Sequence, residues 1–185
     1  MRLIETLLKD IKIFQVDFYN DNRGYFSEIY QKSRYEKLGV KDNFVQENHS
    51  RSHKNVLRGL HFQFKKPQSQ LITIIRGKVF YAFVDVRPNS LNFKKSSTFV
   101  LEENKINQVY TPPGYAGGFL VLSDFADVHY KVSQNYDNLD EGGICWNDSD
   151  LKIKWPTLNP ILNERDVCLP CISEIKFSDL PIVNS

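Results

Sequence analysis

The sequence predicts an all-β fold of the β-sandwich or jelly-roll class. Its apolar residues occur in short runs rich in Val, Ile, Phe and Tyr, and several runs alternate with polar residues at the two-residue period of a strand. Gly, Pro, Asn and Asp separate the runs, as expected of turns. Short strands spaced in this way are typical of sandwiches and jelly rolls. The predicted strands cover residues 71–75, 79–86, 99–101, 108–110, 119–122 and 127–132.

Two turns make the predicted architecture more specific. Residues 76–79 (Arg-Gly-Lys-Val) lie between two apolar runs, which predicts a tight hairpin. Farther along, residues 112–119 combine a Pro-Pro-Gly turn with glycines that let backbones approach closely. A glycine hairpin followed by Pro-x-Gly is similar to the skeleton of a cupin barrel. A short helix is predicted over residues 33–38, capped by Ser33 and ended by Gly39.

Composition limits the function classes. The 185 residues are 41% hydrophobic and 25% charged, so we expect one globular domain spanning residues 1–185. A net charge of +2 gives no reason to expect a nucleic-acid partner. No apolar run approaches the roughly 18 residues of a membrane span, so no membrane partner is expected. Residues 1–12 lack a signal-peptide pattern, which predicts a cytoplasmic location.

The sequence does not predict a metal site or another cofactor. Metal-binding cupins resemble one another in offering His-x-His, whereas this chain has His61-Phe62-Gln63 and no imidazole around Gly117. A lone histidine cannot supply the three ligands that a catalytic metal needs. Cys168 and Cys171 have the spacing of a redox motif, but no second ligand pair accompanies them. We expect them to be structural or incidental.

The densest group of polar residues lies between Gln46 and Gln63. Arg58 and His61 are three residues apart on a predicted strand and would face opposite sides, but Gly59 between them can form a bulge that turns both inward. An isolated histidine among Leu and Phe is commonly a core residue. A partly buried strand that also carries Arg and Gln instead indicates convergence on a charged ligand.

These residues belong to a longer series of motifs that resembles the dTDP-4-dehydrorhamnose 3,5-epimerase family from about residue 10 to 172. The matching segments are 21–28 (Asp-Asn-Arg-Gly-Tyr-Phe-Ser-Glu), 46–50 (Gln-Glu-Asn-His-Ser), 56–63 (Val-Leu-Arg-Gly-Leu-His-Phe-Gln), 85–90, 113–119, 146–148 and 155–156. The resemblance implies a cupin-type jelly roll and an enzyme that inverts C3 and/or C5 of a nucleotide-linked 4-keto-6-deoxy sugar without a cofactor.

The resemblance also implies residue roles. His61 matches the base that removes a proton next to the C4 ketone, and Asp166 matches the carboxylate that orients it. Tyr130 matches the acid on the opposite face, and Arg58 the cation that stabilises the enolate. Without the resemblance, Tyr130 would be read as core and Asp166 as a helix cap or surface charge.

Other matching positions are implied to bind the nucleotide sugar. Arg23 and Glu28 match positions near the nucleotide and diphosphate that often come from a partner subunit, so a homodimer formed through the N-terminal strands is expected. Tyr136 matches a ring that stacks on the base. The remaining substrate-binding candidates are Gln46, Asn48, Gln63 and Gln70.

Two positions depart from the family pattern. Gln70 stands where the family usually has lysine, which removes a charge beside the enolate, and Gly117 replaces a histidine, which is expected to enlarge the pocket. The default substrate is dTDP-4-keto-6-deoxyglucose. The alternatives are a GDP-linked 4-keto-heptose, inversion at one centre only, a cupin 3,4-ketoisomerase, whose usual paired histidines are not apparent, and a sugar-nucleotide-binding pseudoenzyme.

Overall fold

A computed structural model describes residues 1–4, 8, 10–105 and 107–183. The strands are β1 (Arg2–Ile4), β2 (Lys12–Gln15), β3 (Tyr19–Asp21), β4 (Gly24–Phe26), β5 (Gln46–His53), β6 (Leu57–Gln63), β7 (Gln70–Arg76), β8 (Lys78–Asp85), β9 (Ser96–Glu102), β10 (Gln108–Thr111), β11 (Tyr115–Val121), β12 (Phe125–Val132) and β13 (Glu141–Gly143). The helices are α1 (Lys32–Lys37), α2 (Glu164–Val167) and a 3₁₀ turn at Phe177–Asp179.

Two antiparallel sheets form the body of the protein. One has the strand order β1-β2-β10-β7-β12-β5, and the other has the order β13-β6-β11-β8-β9. The non-sequential orders mean that the chain crosses repeatedly between the sheets, as in a jelly roll. The strands β3 and β4 form a separate two-stranded sheet. The predicted all-β, cupin-type jelly roll is confirmed.

The six strands predicted from apolar runs all exist, and the glycine hairpin joins β7 to β8. Gly77 has φ of +86°, and a Cβ there would lie 2.3 Å from the carbonyl oxygen of Phe125. Only glycine accepts both the positive φ and this close approach.

The predicted cap of α1 is wrong. Gln31 is the N-cap residue and Ser33 instead hydrogen-bonds to the Gln31 side chain, while Gly39 follows the helix end as predicted.

The main apolar core fills the space between the sheets at one end. Ile72 and Val128 from one sheet pack there with Tyr81, Phe83 and Phe119 from the other. Burial of this apolar surface is the main force that holds the sheets together. At the other end of the space between the sheets, polar side chains take the place of apolar ones and an open cavity remains.

A second core lies on the outer face of the five-stranded sheet. Leu60 and Ala116 from that sheet pack there against Ile144, Ile172 and Leu180 from the C-terminal part of the chain. This packing fixes residues 144–180 onto the back of β6, and it positions α2 beside that strand. No helix in the described part of the chain is long and apolar enough to span a membrane.

Candidate active site

A cavity of about 330 Å³ opens between the two sheets. Strand β5 lines one wall with alternate residues, Gln46, Asn48 and Ser50, whereas the residues between them face solvent. A strand that turns polar side chains inward cannot contribute to an apolar core. The size of the cavity and its polar wall therefore fit a small polar ligand.

Strand β6 carries a bulge that brings Arg58 and His61 to the same cavity. Across the ladder, His61 pairs with Gly117 and Arg58 pairs with Phe119, so β6 has one extra residue between these pairs. Gly59 has φ of +121°, and a Cβ on it would lie 2.5 Å from the Gly118 Cα. Only glycine fits this position. The predicted bulge is confirmed.

His61 and Asp166 form a hydrogen-bonded pair across 105 residues of sequence. The His61 Nε2 lies 2.8 Å from the Asp166 Oδ1, and the Gly59 N–H donates to the Asp166 Oδ2 at 3.2 Å. Asn163 caps α2 by accepting the Asp166 N–H at 2.7 Å, which fixes the backbone of the aspartate. The resulting pair resembles the base-and-orienter arrangement of acid–base enzymes.

Asp166 is ionised in this environment. Its side chain is only 1% exposed, and burial alone would raise its pKa. The hydrogen bond from His61 and its charge, the Gly59 N–H and the Arg165 guanidinium together outweigh burial, so the pKa of Asp166 lies below its ordinary value. The buried carboxylate thus lies where it would stabilise the imidazolium that forms when His61 accepts a proton from a substrate.

Arg165 and Glu141 border this pair and were missed in the sequence. Arg165 Nε lies 3.3 Å from the Asp166 Oδ1 and its Nη2 lies 3.0 Å from the His61 Nε2. Arg165 also forms an ion pair with Glu141, whose Oε1 lies 3.8 Å from the His61 Nδ1. The Arg165 position next to Asp166 was visible in the sequence, but nothing local indicated that Glu141 would meet it.

Tyr130 lies in the other sheet, on strand β12, and lines the same cavity. Burial raises its pKa, Arg58 partly opposes the shift, and Glu141 adds to it, so the phenol stays protonated near neutral pH. Arg58 is held by a 2.8 Å hydrogen bond from its Nε to the Ser52 hydroxyl. The cavity thus has the His61–Asp166 pair on the side of β6 and a neutral phenol on the facing sheet.

The predicted amides occupy three different positions. Gln46 and Asn48 are joined by a 2.9 Å hydrogen bond on the cavity wall, and Gln70 lines the cavity at the start of β7. Gln63 lines the cavity too, but its carbonyl oxygen accepts from Gln68 at 2.9 Å and from the Asp137 N–H at 3.1 Å. Gln63 therefore also ties neighbouring loops together.

The predicted nucleotide-binding residues are separated in space. Tyr136 is 51% exposed at the cavity mouth, where its hydroxyl donates to Glu141 at 2.8 Å. Arg23 pairs with Asp21 at the β3–β4 turn, and its side chain is 86% exposed. Glu28 lies 3.1 Å from Arg34. Neither Arg23 nor Glu28 lines the cavity of its own chain.

The expectation that Gly117 enlarges the pocket is wrong. A Cβ on Gly117 would lie 2.6 Å from the hydroxyl oxygen of Tyr81, so this tyrosine occupies the space that a side chain at position 117 would take. Nothing in the sequence indicates this contact, because Tyr81 looks like an ordinary apolar position of strand β8.

The cysteines lie outside the cavity. Cys145 and Cys171 approach to 3.2 Å between sulfur atoms, whereas Cys168 is exposed, so Cys171 lies beside Cys145 rather than beside Cys168 of the CxxC spacing. Asp148 completes a group of three possible metal ligands there. Its two oxygens already accept backbone N–H groups of Asp150 and Ile172, at 2.8 and 2.6 Å, which is a structural capping arrangement.

Comparison with known proteins identifies the family. Residues 5–174 match the family model described as dTDP-4-dehydrorhamnose 3,5-epimerase. The chain is 43% identical to the dTDP-4-dehydrorhamnose 3,5-epimerase of Escherichia coli (strain K12) over 178 residues, which are 95% of this chain and 96% of that protein.

Solved structures agree with this match. A dTDP-6-deoxy-D-glucose-3,5-epimerase from Legionella pneumophila, solved with dTDP-4-keto-L-rhamnose, superposes with a TM-score of 0.95 at 37% identity and covers 100% of this chain and 99% of its own. A 3'-monoepimerase from Streptomyces bikiniensis, solved with dTDP-quinovose, has a TM-score of 0.89 at 25% identity and covers 96% and 92%. The chain belongs to the dTDP-4-dehydrorhamnose 3,5-epimerase family and is an isomerase that acts on carbohydrates.

Proposed function

We propose that this enzyme inverts C3 and C5 of dTDP-4-keto-6-deoxyglucose with its own side chains as acid and base. The observation that carries the proposal is the arrangement of one cavity, with His61 of one sheet paired with Asp166 of α2, and protonated Tyr130 on the other sheet. Inversion of a carbon requires a proton to leave from one face and return to the other. A base and an acid on facing sheets meet this requirement.

The reaction begins at the carbons next to the C4 ketone, whose C–H bonds the ketone acidifies. His61 removes the proton, and ionised Asp166, 2.8 Å from its Nε2, stabilises the imidazolium that forms. The electron pair moves onto the C4 oxygen as an enolate. Tyr130 then donates its proton to the carbon from the opposite side. His61 then releases its proton to solvent and Tyr130 regains one, and the same sequence at the second carbon completes the double inversion.

Arg58 is the group that stabilises the enolate. Its Nε is engaged by Ser52, and no described residue accepts a hydrogen bond from its terminal nitrogens. A guanidinium that lines the cavity and is held at its Nε is preorganised to donate from its terminal nitrogens to an oxyanion, and the loss of such a donor costs about 3 kcal/mol of transition-state stabilisation in other enzymes. Gln70, on the same cavity, offers a neutral donor in place of a charged one.

The alternatives have less support. The 3,5-epimerases match at 31% to 43% identity, against 25% for the monoepimerase solved with dTDP-quinovose, which favours inversion at both centres. The curated relatives carry dTDP-sugar names, which favours the hexose over a GDP-linked heptose. An intact acid–base pair disfavours a pseudoenzyme, and the presence of one cavity histidine, His61, disfavours a ketoisomerase that uses paired histidines.

The enzyme acts as a cytoplasmic homodimer in this proposal. The β3–β4 hairpin exposes Tyr19 (59%) and Phe26 (69%), and large exposed aromatics in one patch indicate a contact surface. Arg23 at its tip, with its side chain 86% exposed, exchanges its ion pair with Asp21 for a diphosphate in the partner's cavity, with Tyr136 stacking on the base at the mouth. The odd number of thiols, all free, suits a reducing compartment.

Deuterium exchange tests the chemistry. We expect NMR of dTDP-4-keto-6-deoxyglucose in deuterated water to show deuterium entering C3 and C5 with the wild type, with or without a chelator, and neither with His61→Asn. Exchange at the wild-type rate in His61→Asn would rule out the assigned base. Turnover that chelation abolishes and one divalent metal restores would rule out the metal-free mechanism.

Mixing inactive variants tests the partner contribution. If Arg23 acts in the cavity of the other subunit, Arg23→Ala and His61→Asn homodimers are each impaired, but exchange of their subunits creates one cavity with both wild-type residues. We therefore expect activity to appear on mixing. No recovery, in a mixture shown by mass spectrometry to contain heterodimers, would place Arg23 outside the partner's site.

A further inference from the structure

Gly117 faces the cavity at a position where one atom excludes a side chain. It pairs with His61 across the β6–β11 ladder, so a side chain there would lie beside the base. A Cβ on Gly117 would lie 2.6 Å from the Tyr81 hydroxyl oxygen but 3.5 Å from its Cζ, which is ordinary contact. The backbone of Gly117 does not have a positive φ. The obstacle to a side chain is therefore the Tyr81 hydroxyl alone.

Tyr81 is otherwise a core residue. It is 3% exposed, packs in the main core, and lies with its ring centroid 6.0 Å from that of Phe83. Tyr81 nevertheless lines the cavity, and among the described residues its hydroxyl has no hydrogen-bond partner although it is not one of the fully buried unpaired polar atoms, so the oxygen is open to the cavity. A phenol oxygen that is open to a cavity and has no protein partner is available to hydrogen-bond a ligand there.

The hydroxyl is suited to donate a hydrogen bond. Burial raises the pKa of Tyr81, and nearby Tyr130 adds to the shift, so the phenol keeps its proton at physiological pH. The groups expected to meet the nucleotide, such as half-exposed Tyr136, lie at the mouth, whereas Tyr81 lies at the buried end. The part of the substrate that reaches this end is the sugar.

We propose that Tyr81 is a substrate-contacting, specificity-determining residue. Its hydroxyl donates a hydrogen bond to an oxygen of the sugar on the His61 side. Gly117 lacks a side chain so that this hydroxyl can stay there. This inference rests on the proposed function. If Tyr81 were only a core filler, removal of its oxygen would leave substrate binding unchanged.

A double-mutant cycle of Tyr81→Phe and Gly117→Ala tests both halves. Tyr81→Phe should keep the wild-type melting temperature and raise KM about fivefold with little change in kcat, because one neutral hydrogen bond to the substrate is lost. Gly117→Ala should lower the melting temperature and reduce kcat/KM at least tenfold, because its methyl group meets the hydroxyl. The double variant should recover the melting temperature but only the activity of Tyr81→Phe.

Gly118→Ala is the matched control. A Cβ there would meet the Arg58 carbonyl oxygen at 2.8 Å and the Gly59 Cα at 3.1 Å, and these backbone atoms are independent of Tyr81. Tyr81→Phe should therefore not rescue Gly118→Ala. Failure to rescue Gly117→Ala, or equal rescue of both alanine variants, overturns the pairing.

The kinetic outcomes are also distinct. Wild-type KM in Tyr81→Phe overturns the substrate contact while leaving the proposed function intact. A wild type without turnover overturns the proposed function and the contact with it, whereas the melting temperatures still decide the Tyr81–Gly117 pairing.

Discussion

The substitution Asp166→Asn tests the acid–base pair most directly. It keeps the shape of the side chain but removes the negative charge that faces His61 at 2.8 Å. A hydrogen bond to a charged group contributes about 1.5–3 kcal/mol. If the charge acts on the imidazolium formed in the reaction, this converts to a loss of about 10- to 150-fold in kcat at 1.4 kcal/mol per factor of ten. KM should change little, because the imidazolium is absent from the ground state.

The assay is the initial rate of deuterium incorporation at C3 and C5, measured by NMR at saturating substrate. Asp148→Asn is the matched control, because Asp148 is also a buried carboxylate that accepts two backbone N–H groups, but it lies outside the cavity. It should lower the melting temperature without lowering kcat in the folded enzyme. A kcat for Asp166→Asn within twofold of the wild type, or an equal loss in Asp148→Asn, would refute the role of the carboxylate.

Three further predictions follow from the same groups. Tyr130→Phe should still exchange deuterium with retention of configuration faster than it epimerises, and equal loss of both rates by NMR would show that Tyr130 is not the acid. The depressed pKa of Asp166 contributes stability above the ordinary aspartate value of about 4, and this is lost as pH falls through the folded-state pKa. Urea unfolding from pH 7 to 3 should therefore show wild-type stability falling relative to Asp166→Asn, and a constant difference would contradict this. Burial, reinforced by contact with Cys171, raises the pKa of the Cys145 thiol to about 12. Iodoacetamide at pH 8, with labelling followed by mass spectrometry, should therefore modify exposed Cys168 first. Faster labelling of Cys145 would contradict its burial.

Local pattern was sufficient for the strands and for one half of the site. The two-residue period of β7, β8 and β12 fixes which side chains can face the core, because alternate residues point to opposite faces. The same period makes Arg58 and His61 incompatible with one face unless a residue is added between them, so Gly59 predicted the bulge. The strand period and the bulge depend only on residues that are neighbours along the chain, so both can be predicted from the sequence.

The resemblance to a family extended this prediction to Asp166 and Tyr130. Neither would be selected from its own surroundings, since Asp166 lies in a four-residue helix and Tyr130 in an apolar strand. Their identification depended on matching the motifs of related chains. That match names Asp166 and Tyr130 as partners of His61, but it does not give the distances between these side chains.

The remainder was decided by packing between distant segments. The second core holds the C-terminal region on the back of β6, and backbone hydrogen bonds of Ile161 to Asn55 and Leu57, at 2.7 and 2.9 Å, set where α2 begins. Only this brings Asp166 to His61 across 105 residues of sequence. The contact between Tyr81 and Gly117 likewise depends on how two strands lie side by side. A sequence pattern records which face a residue occupies, whereas the tertiary structure decides which residue from elsewhere in the chain meets it.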